Sequence, residues 1–249
     1  MRIHYDLHMH SGLSPCGDSD MTPGNLVNMA ALAGLNMIAL TDHNSALNCP
    51  AAQAAAQQVG ITLVPGMELC TVEECHVLCL FSTVEQALAF GEQVYAGLPP
   101  VDNRPDIFGR QTIIDAADRD AGEVTRLLTT ASSVSIDEVV ATVRAAGGAA
   151  LPAHVDRPSY SVTAVLGTVP AVGFCAAEVT ATADIASLQD QYPLLEDLLL
   201  LVDSDAHDLI AIPDAGPWIE LPACTPAALI DALNGLLPAV TNSREWLHR

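Results

Sequence analysis

Apolar runs of strand length recur along this chain of 249 residues, and most of them carry a histidine or a carboxylate at one end. Residues 3–8 end in His8, with His10 just beyond. Residues 36–41 lead into Asp42-His43, and residues 61–68 end in Glu68. His76 opens the run 76–81, and His154 closes 149–154. Residues 172–179 carry Glu178, and 198–203 lead into Asp205 and His207. Helical patterns separate most of these runs. Strands that alternate with helices predict a parallel sheet or barrel. Seven or so such units in a chain of this length fit a closed α/β barrel better than an open sheet. A barrel gathers its strand ends on one face, so residues far apart in sequence would meet there.

The helix signals support this rhythm. Thr22 reads as an N-cap with Pro23 at N1, opening a helix that runs to Gly34. Further helices are expected over 50–59, 83–97 and 226–237, and a last short strand over 218–221. Ser135 and Glu138 have the spacing of a capping box for a helix over 135–146, which Gly147-Gly148 would end. Residues 98–133 break the pattern, being loop-like at first and then polar and acidic. They read as a small inserted lobe or lid within a single domain spanning 1–249.

Half of the residues are hydrophobic, enough for a sizeable core. No run of about 18 apolar residues appears, so no membrane-spanning helix and no membrane partner are expected. The N-terminus enters a strand directly, without the basic and apolar regions of a signal peptide. Seven cysteines without a Cys-x-x-Cys pair read as reduced thiols of a cytoplasmic protein. The nine basic residues are all arginine, against thirty acidic ones, giving a net charge of −21. Such a surface repels polyanions, so a small phosphorylated partner is expected rather than long nucleic acid. No glycine-rich phosphate loop is present. The oligomeric state is not encoded in any pattern of the chain.

The chemistry lies in the strand ends. In a strand, His8 and His10 point to the same side, and two imidazoles on one side can share a metal ion. His43, Glu68, His76, His154, Asp205 and His207 join them, with Asp18 from the loop after the first strand. His4 and His248, near the chain ends, look incidental. A catalytic zinc takes about three protein ligands plus water. Nine candidate ligands, with Glu68 bridging, therefore predict two to three divalent ions. Zn, Mn and Fe all suit mixed imidazole and carboxylate sites. Adjacent ions can hold a hydroxide and clamp a phosphoryl group.

These motifs resemble the polymerase-and-histidinol-phosphatase (PHP) domain phosphoesterases. The resemblance rests on Asp6-Leu7-His8-Met9-His10-Ser11, Thr41-Asp42-His43, Gly66-Met67-Glu68, Pro152-Ala153-His154 and Asp205-Ala206-His207, in that order. It implies a distorted seven-stranded (β/α) barrel with a trinuclear metal site. By resemblance, His8, His10, Glu68 and Asp205 hold one ion, and Glu68, His76 and His154 a second. Asp18, His43 and His207 hold the third, with Asp20 competing for the place of Asp18. Many members of the family have a histidine at that position.

Other residues have candidate roles beside this set. Arg157 is placed to hold a phosphate bidentately, or else to pair with Asp156. Arg110 is expected to reach the substrate from the lobe, and Glu178 to contact substrate or form a salt bridge. Asp42 would orient a ligand or cap a helix. Cys16 and Cys49 read as small-residue packing. Glu68, Arg157 and Asp205 are the expected catalytic residues. The expected activity is hydrolysis of a small phosphorylated metabolite or nucleotide by a metal-bound hydroxide. The alternatives are a nuclease trimming short oligonucleotides and a non-catalytic metal-binding module.

Overall fold

A computed structural model describes residues 1–246, so His248 lies outside the described residues. The chain begins with β1 (Arg2–Asp6), α1 (Pro23–Leu32), β2 (Met37–Leu40) and α2 (Cys49–Val59). There follow β3 (Thr62–Cys70), β4 (His76–Phe81) and α3 (Val84–Gly97). Residues 98–133 contain α4 (Pro105–Phe108) and the hairpin of β5 (Thr112–Ile114) with β6 (Asp120–Glu123). The second half runs α5 (Ile136–Ala145), β7 (Gly148–Pro152), α6 (Val162–Leu166), β8 (Ala176–Val179), α7 (Ile185–Gln191) and β9 (Leu199–Val202). It ends with β10 (Trp218–Glu220), α8 (Pro226–Leu233), β11 (Val240–Thr241) and α9 (Ser243–Trp246).

Seven strands form one curled sheet in the order β11-β10-β1-β2-β3-β4-β7. Only β1–β2 and β2–β3 are parallel; β4 runs antiparallel to both β3 and β7, and β10 to β1. The reversal at β4 follows from the connector after Cys70, which is too short for a crossover helix. Strands β8 and β9 pair with each other in parallel, outside the main ladder. Side chains close that gap: the Leu7 N–H donates to Asp203 Oδ1 (2.6 Å), and the Val202 N–H donates to the Tyr5 hydroxyl (3.3 Å). The barrel is therefore distorted, with buried side-chain bonds along this seam and a backbone bridge between Met9 and Ala206 at its end.

Alternation along the strands divides the core into two. Met37 and Ala39 face an inner cluster with Ile3, Tyr5, Leu7 and Val64; Leu78, Leu80, Ala149 and Leu151 join it. Ile38, Leu40, Val77, Cys79 and Ala150 face the outer layer with α1, α2, α3 and α5. A strand buried on both sides reads as a continuous apolar run, which is what the sequence shows here. Thr22 caps α1 by accepting from the Asn25 N–H (3.2 Å), with Pro23 in the first turn. The capping box expected at Ser135 does not form. Its hydroxyl donates to Glu138 Oε2 (2.9 Å) instead of accepting a backbone N–H. A complete capping box occurs at Thr83 and Gln86.

Residues 98–133 are pinned to the strand-end face by two buried asparagines. Asn44 Nδ2 donates to the Leu128 and Thr130 carbonyls (2.7 and 2.8 Å). Asn48 bonds to the Thr112 carbonyl and the Ile114 N–H (3.1 and 2.9 Å). Among the described residues, no helix is long and apolar enough to cross a membrane, and all seven cysteines are free.

Candidate metal centre

Glu68 sits at the centre of the strand-end face and is almost wholly buried. Its Oε1 lies 2.7 Å from His76 Nδ1, 3.0 Å from His154 Nε2 and 3.4 Å from His8 Nε2. Its Oε2 lies 2.9 Å from His43 Nδ1 and 3.4 Å from His10 Nε2. Asp205 Oδ1 faces the same space, 3.2 Å from His8 Nε2 and 3.1 Å from His10 Nε2. Burial alone would raise the Glu68 carboxyl, but the imidazoles of His76, His8 and His43 hold it well below the ordinary value.

The supporting bonds fix which ring nitrogen faces inward. A carboxylate can only accept, so Glu178, 2.9 Å from His8 Nδ1, places the proton there and leaves Nε2 free. The Ser14 hydroxyl donates to Asp42 Oδ1 (2.7 Å), so it accepts from His10 Nδ1 (2.9 Å) and from the His43 N–H (3.1 Å). On these tautomers His8 and His10 aim two unprotonated nitrogens at each other across 3.1 Å. Two lone pairs at that distance repel unless a cation or a proton lies between them. Burial and the neighbouring His43 and His207 push His10 down to about 3, whereas, against its burial, Asp205, Glu178 and Glu68 raise His8 well above the ordinary value. The metal-free His8 ring therefore supplies that proton, and a bound ion would displace it.

The residues fit divalent ions. His43 Nδ1 and Asp205 Oδ1 are buried and make no aligned hydrogen bond, although Glu68 and the His8 and His10 rings crowd around them. Three trios have ligand atoms mutually within 4.8 Å: His8, His10 and Glu68; His43, Glu68 and His76; and His10, His43 and His207. His154 and Asp205 also adopt positive φ (30° and 51°), a strained geometry that places both side chains inward. Asp6 holds the Asp205 loop by accepting from the Ser204 N–H (3.1 Å) and hydroxyl (2.6 Å). Asp203 lies beside it; burial, Glu178 and Asp6 keep its carboxyl well above the ordinary range.

Three expected positions differ. Asp18 is exposed and turned outward, accepting from the Asp20 N–H (2.9 Å), and Asp20 is exposed as well. The loop instead brings Cys16 against His43 and His207. Cys16 is exposed on one side; what desolvation it has would raise the thiol, but hydrogen bonds to the two imidazoles bring it down to about 7. Arg110 is not at the cluster: it pairs with Glu123 and Asp120 on the exposed hairpin (to Asp120 Oδ2, 3.0 Å). Glu178 lies behind His8, buried and also accepting the His154 N–H (3.2 Å), so it faces ligands rather than substrate.

Arg157 donates from Nη1 to Asp205 Oδ2, on the rim of the cluster. Asp156 is not its partner, because it accepts from the Thr180 N–H (2.8 Å) and hydroxyl (2.5 Å). Sequence reasoning missed Ser14, Asp6, Asp203 and Ser204. For Asp6, Asp203 and Ser204 the available signal was polarity at a strand end, whereas Ser14 lies in the loop after β1, and nothing local says which way any of them faces.

A PHP domain model matches residues 6–133. A 5'-3' exoribonuclease of Haemophilus influenzae is 42% identical over 71 residues, 28% of this chain and 25% of that protein. The matched stretch thus spans about a quarter of that relative's length. The lesion-specific endonuclease PfuEndoQ of Pyrococcus furiosus superposes with a TM-score of 0.67 at 18% identity, covering 97% of this chain and 58% of that one. Endonuclease Q in complex with a 27-mer duplex carrying an abasic lesion gives 0.65 at 18% identity, over 96% and 58% of the two chains.

These relatives overturn the expectation of a small phosphorylated partner in place of long nucleic acid. Net charge is a sum over the whole surface, whereas a metal cluster and Arg157 set the local field that a phosphate meets. With the family model covering half of the chain and the strand-end cluster in place, the chain belongs to the PHP domain family and is a metal-dependent hydrolase of the phosphoesterase kind.

Proposed function

We propose that the chain hydrolyses phosphodiester bonds of nucleic acid, trimming short oligonucleotides at the strand-end cluster. The observation that carries this reading is the Glu68 carboxylate with five imidazoles 2.7–3.4 Å away, in a chain that aligns with an exoribonuclease. His8, His10, Glu68 and Asp205 would hold one ion, and Glu68, His76 and His154 a second. His43 and His207, with Cys16 beside them, would hold a third. Bound divalent ions supply Lewis-acid activation of water and of the phosphoryl oxygens.

The chain's own residues set up that chemistry. Glu68 spans the sites because each of its oxygens faces a different group of imidazoles. Glu178 and Ser14 fix the orientations of the His8 and His10 rings, so both Nε2 atoms would face an ion without rearrangement, His8 giving up its second proton. Asp205 divides its oxygens, with Oδ1 inward and Oδ2 on Arg157. The Arg157 guanidinium is part-exposed and keeps further N–H donors for a non-bridging phosphate oxygen. The test is a cleavage assay with metal-reconstituted protein on end-labelled single-stranded RNA and DNA and on a duplex with an abasic site. Release of nucleotides from an end, lost in Glu68→Gln, is the expected result. No cleavage of any of these with metal-replete protein would contradict the reading.

A further inference from the structure

The loop after His154 crosses the rim of the cluster and carries two unlike groups outward. At one side Arg157 rests on Asp205. At the other, Tyr160 lies over His76 with ring centroids 4.7 Å apart and planes 20° apart. Tyr160 is 47% exposed although it stacks on an imidazole whose Nδ1 is 2.7 Å from Glu68.

The backbone holds it there. Tyr160 has φ +56°, a conformation a bulky side chain adopts only when its surroundings impose it. Its carbonyl accepts the His76 N–H (2.7 Å). The buried Ser161 hydroxyl donates to the Arg157 carbonyl (2.6 Å), and the Arg157 N–H donates to the His154 carbonyl (2.9 Å). The loop is thus fixed by the same strand ends that carry His76 and His154. A ligand that docks on the ring need not order the loop first.

A cationic fork and a half-exposed aromatic ring on one rigid loop match the two parts of a nucleotide. The guanidinium suits the phosphate, and the ring suits a base, since every base has a π-face. We propose that Tyr160 is a stacking platform for an unpaired base next to the scissile phosphate. The site then favours single-stranded ends, where a base can leave its neighbours. This inference rests on the nuclease reading above.

The experiment compares KM and kcat for wild type, Tyr160→Phe and Tyr160→Ala, each with metal content measured. Substrates are a single-stranded tetranucleotide and versions with a tetrahydrofuran abasic unit on either side of the cleaved bond. Wild type is expected to show a KM about tenfold or more higher on one of the abasic substrates, with kcat little changed. Tyr160→Phe should keep that discrimination, and Tyr160→Ala should lose it while remaining metal-replete. Discrimination retained in Tyr160→Ala would overturn the platform while leaving the nuclease reading intact. Loss of metal from Tyr160→Ala would also overturn it, assigning the ring to shielding His76. A wild type that cleaves none of the substrates would remove the nuclease reading and the platform together.

Discussion

The strand-end cluster and the segment 98–133 use the same residue types to opposite effect. In the cluster most carboxylates and imidazoles are buried, and His8 and His10 are each fixed by a second polar group behind the ring. In the segment, Arg110, Asp120, Glu123, Arg119 and Asp115 pair on the surface, where solvent screens them. A buried charge without its partner is costly, while an exposed ion pair contributes little. Charge therefore matters by location, and the difference predicts a steep gradient of mutational effect from one region to the other.

Glu68→Gln should produce the largest loss. The amide removes the negative charge that faces five imidazoles and offers one carbonyl oxygen where the carboxylate offers two. Activity should fall beyond the ~100-fold seen when groups supporting a metal ligand are lost, with an unchanged circular dichroism spectrum. Near-normal turnover would take Glu68 out of the bridge. Glu178→Gln comes next, because it frees His8 to adopt the wrong tautomer. Metal affinity, measured against a competing chelator, should weaken about 10–100-fold. Unchanged affinity would show that His8 is oriented by other contacts.

Metal loading should also release protons. Although burial favours the neutral ring, the Glu68 carboxylate and Cys16 raise metal-free His43 to about 10, so at neutral pH it carries a proton that an ion must displace. Apparent affinity should rise with pH toward that value, by up to about tenfold per pH unit for each proton released. Calorimetry in buffers of different ionisation enthalpy reads the proton count directly, and a count of zero would contradict the assigned protonation.

Arg157→Ala should lower kcat/KM about tenfold, the loss expected for a charge-assisted hydrogen bond, with metal content retained. Loss of metal there would mean that the arginine serves Asp205 alone. The smallest effect belongs to the surface segment. Arg110→Ala should leave kcat/KM and the melting temperature unchanged within error, because both of its partners remain solvated. A tenfold loss of activity would return Arg110 to the substrate.

Much of this arrangement was legible in the sequence. His8, His10, His43, Glu68 and His154 stand at the ends of apolar runs, and the two-residue period of a strand carries them to one face. The direction of β4 was less legible, since an apolar run looks the same either way. His76 reaches the cluster because the antiparallel turn puts the start of β4 beside the end of β3. Loops obey no period, which is why Asp18 was expected where Cys16 sits. Glu178 lies in a strand of small apolar residues, and only the place of β8 between β7 and β9 turns it toward His8. The overall charge of −21 was misleading about partners for a related reason. A sum over the chain carries no position.

The convergence of ligands on Glu68 is tested most directly by counting metal. Protein purified without chelator, and again after reconstitution, should contain at least two divalent ions per chain by elemental analysis. The Glu68→Gln variant prepared in parallel should contain fewer. A wild-type content at or below one ion per chain, even after reconstitution, would contradict the multinuclear site.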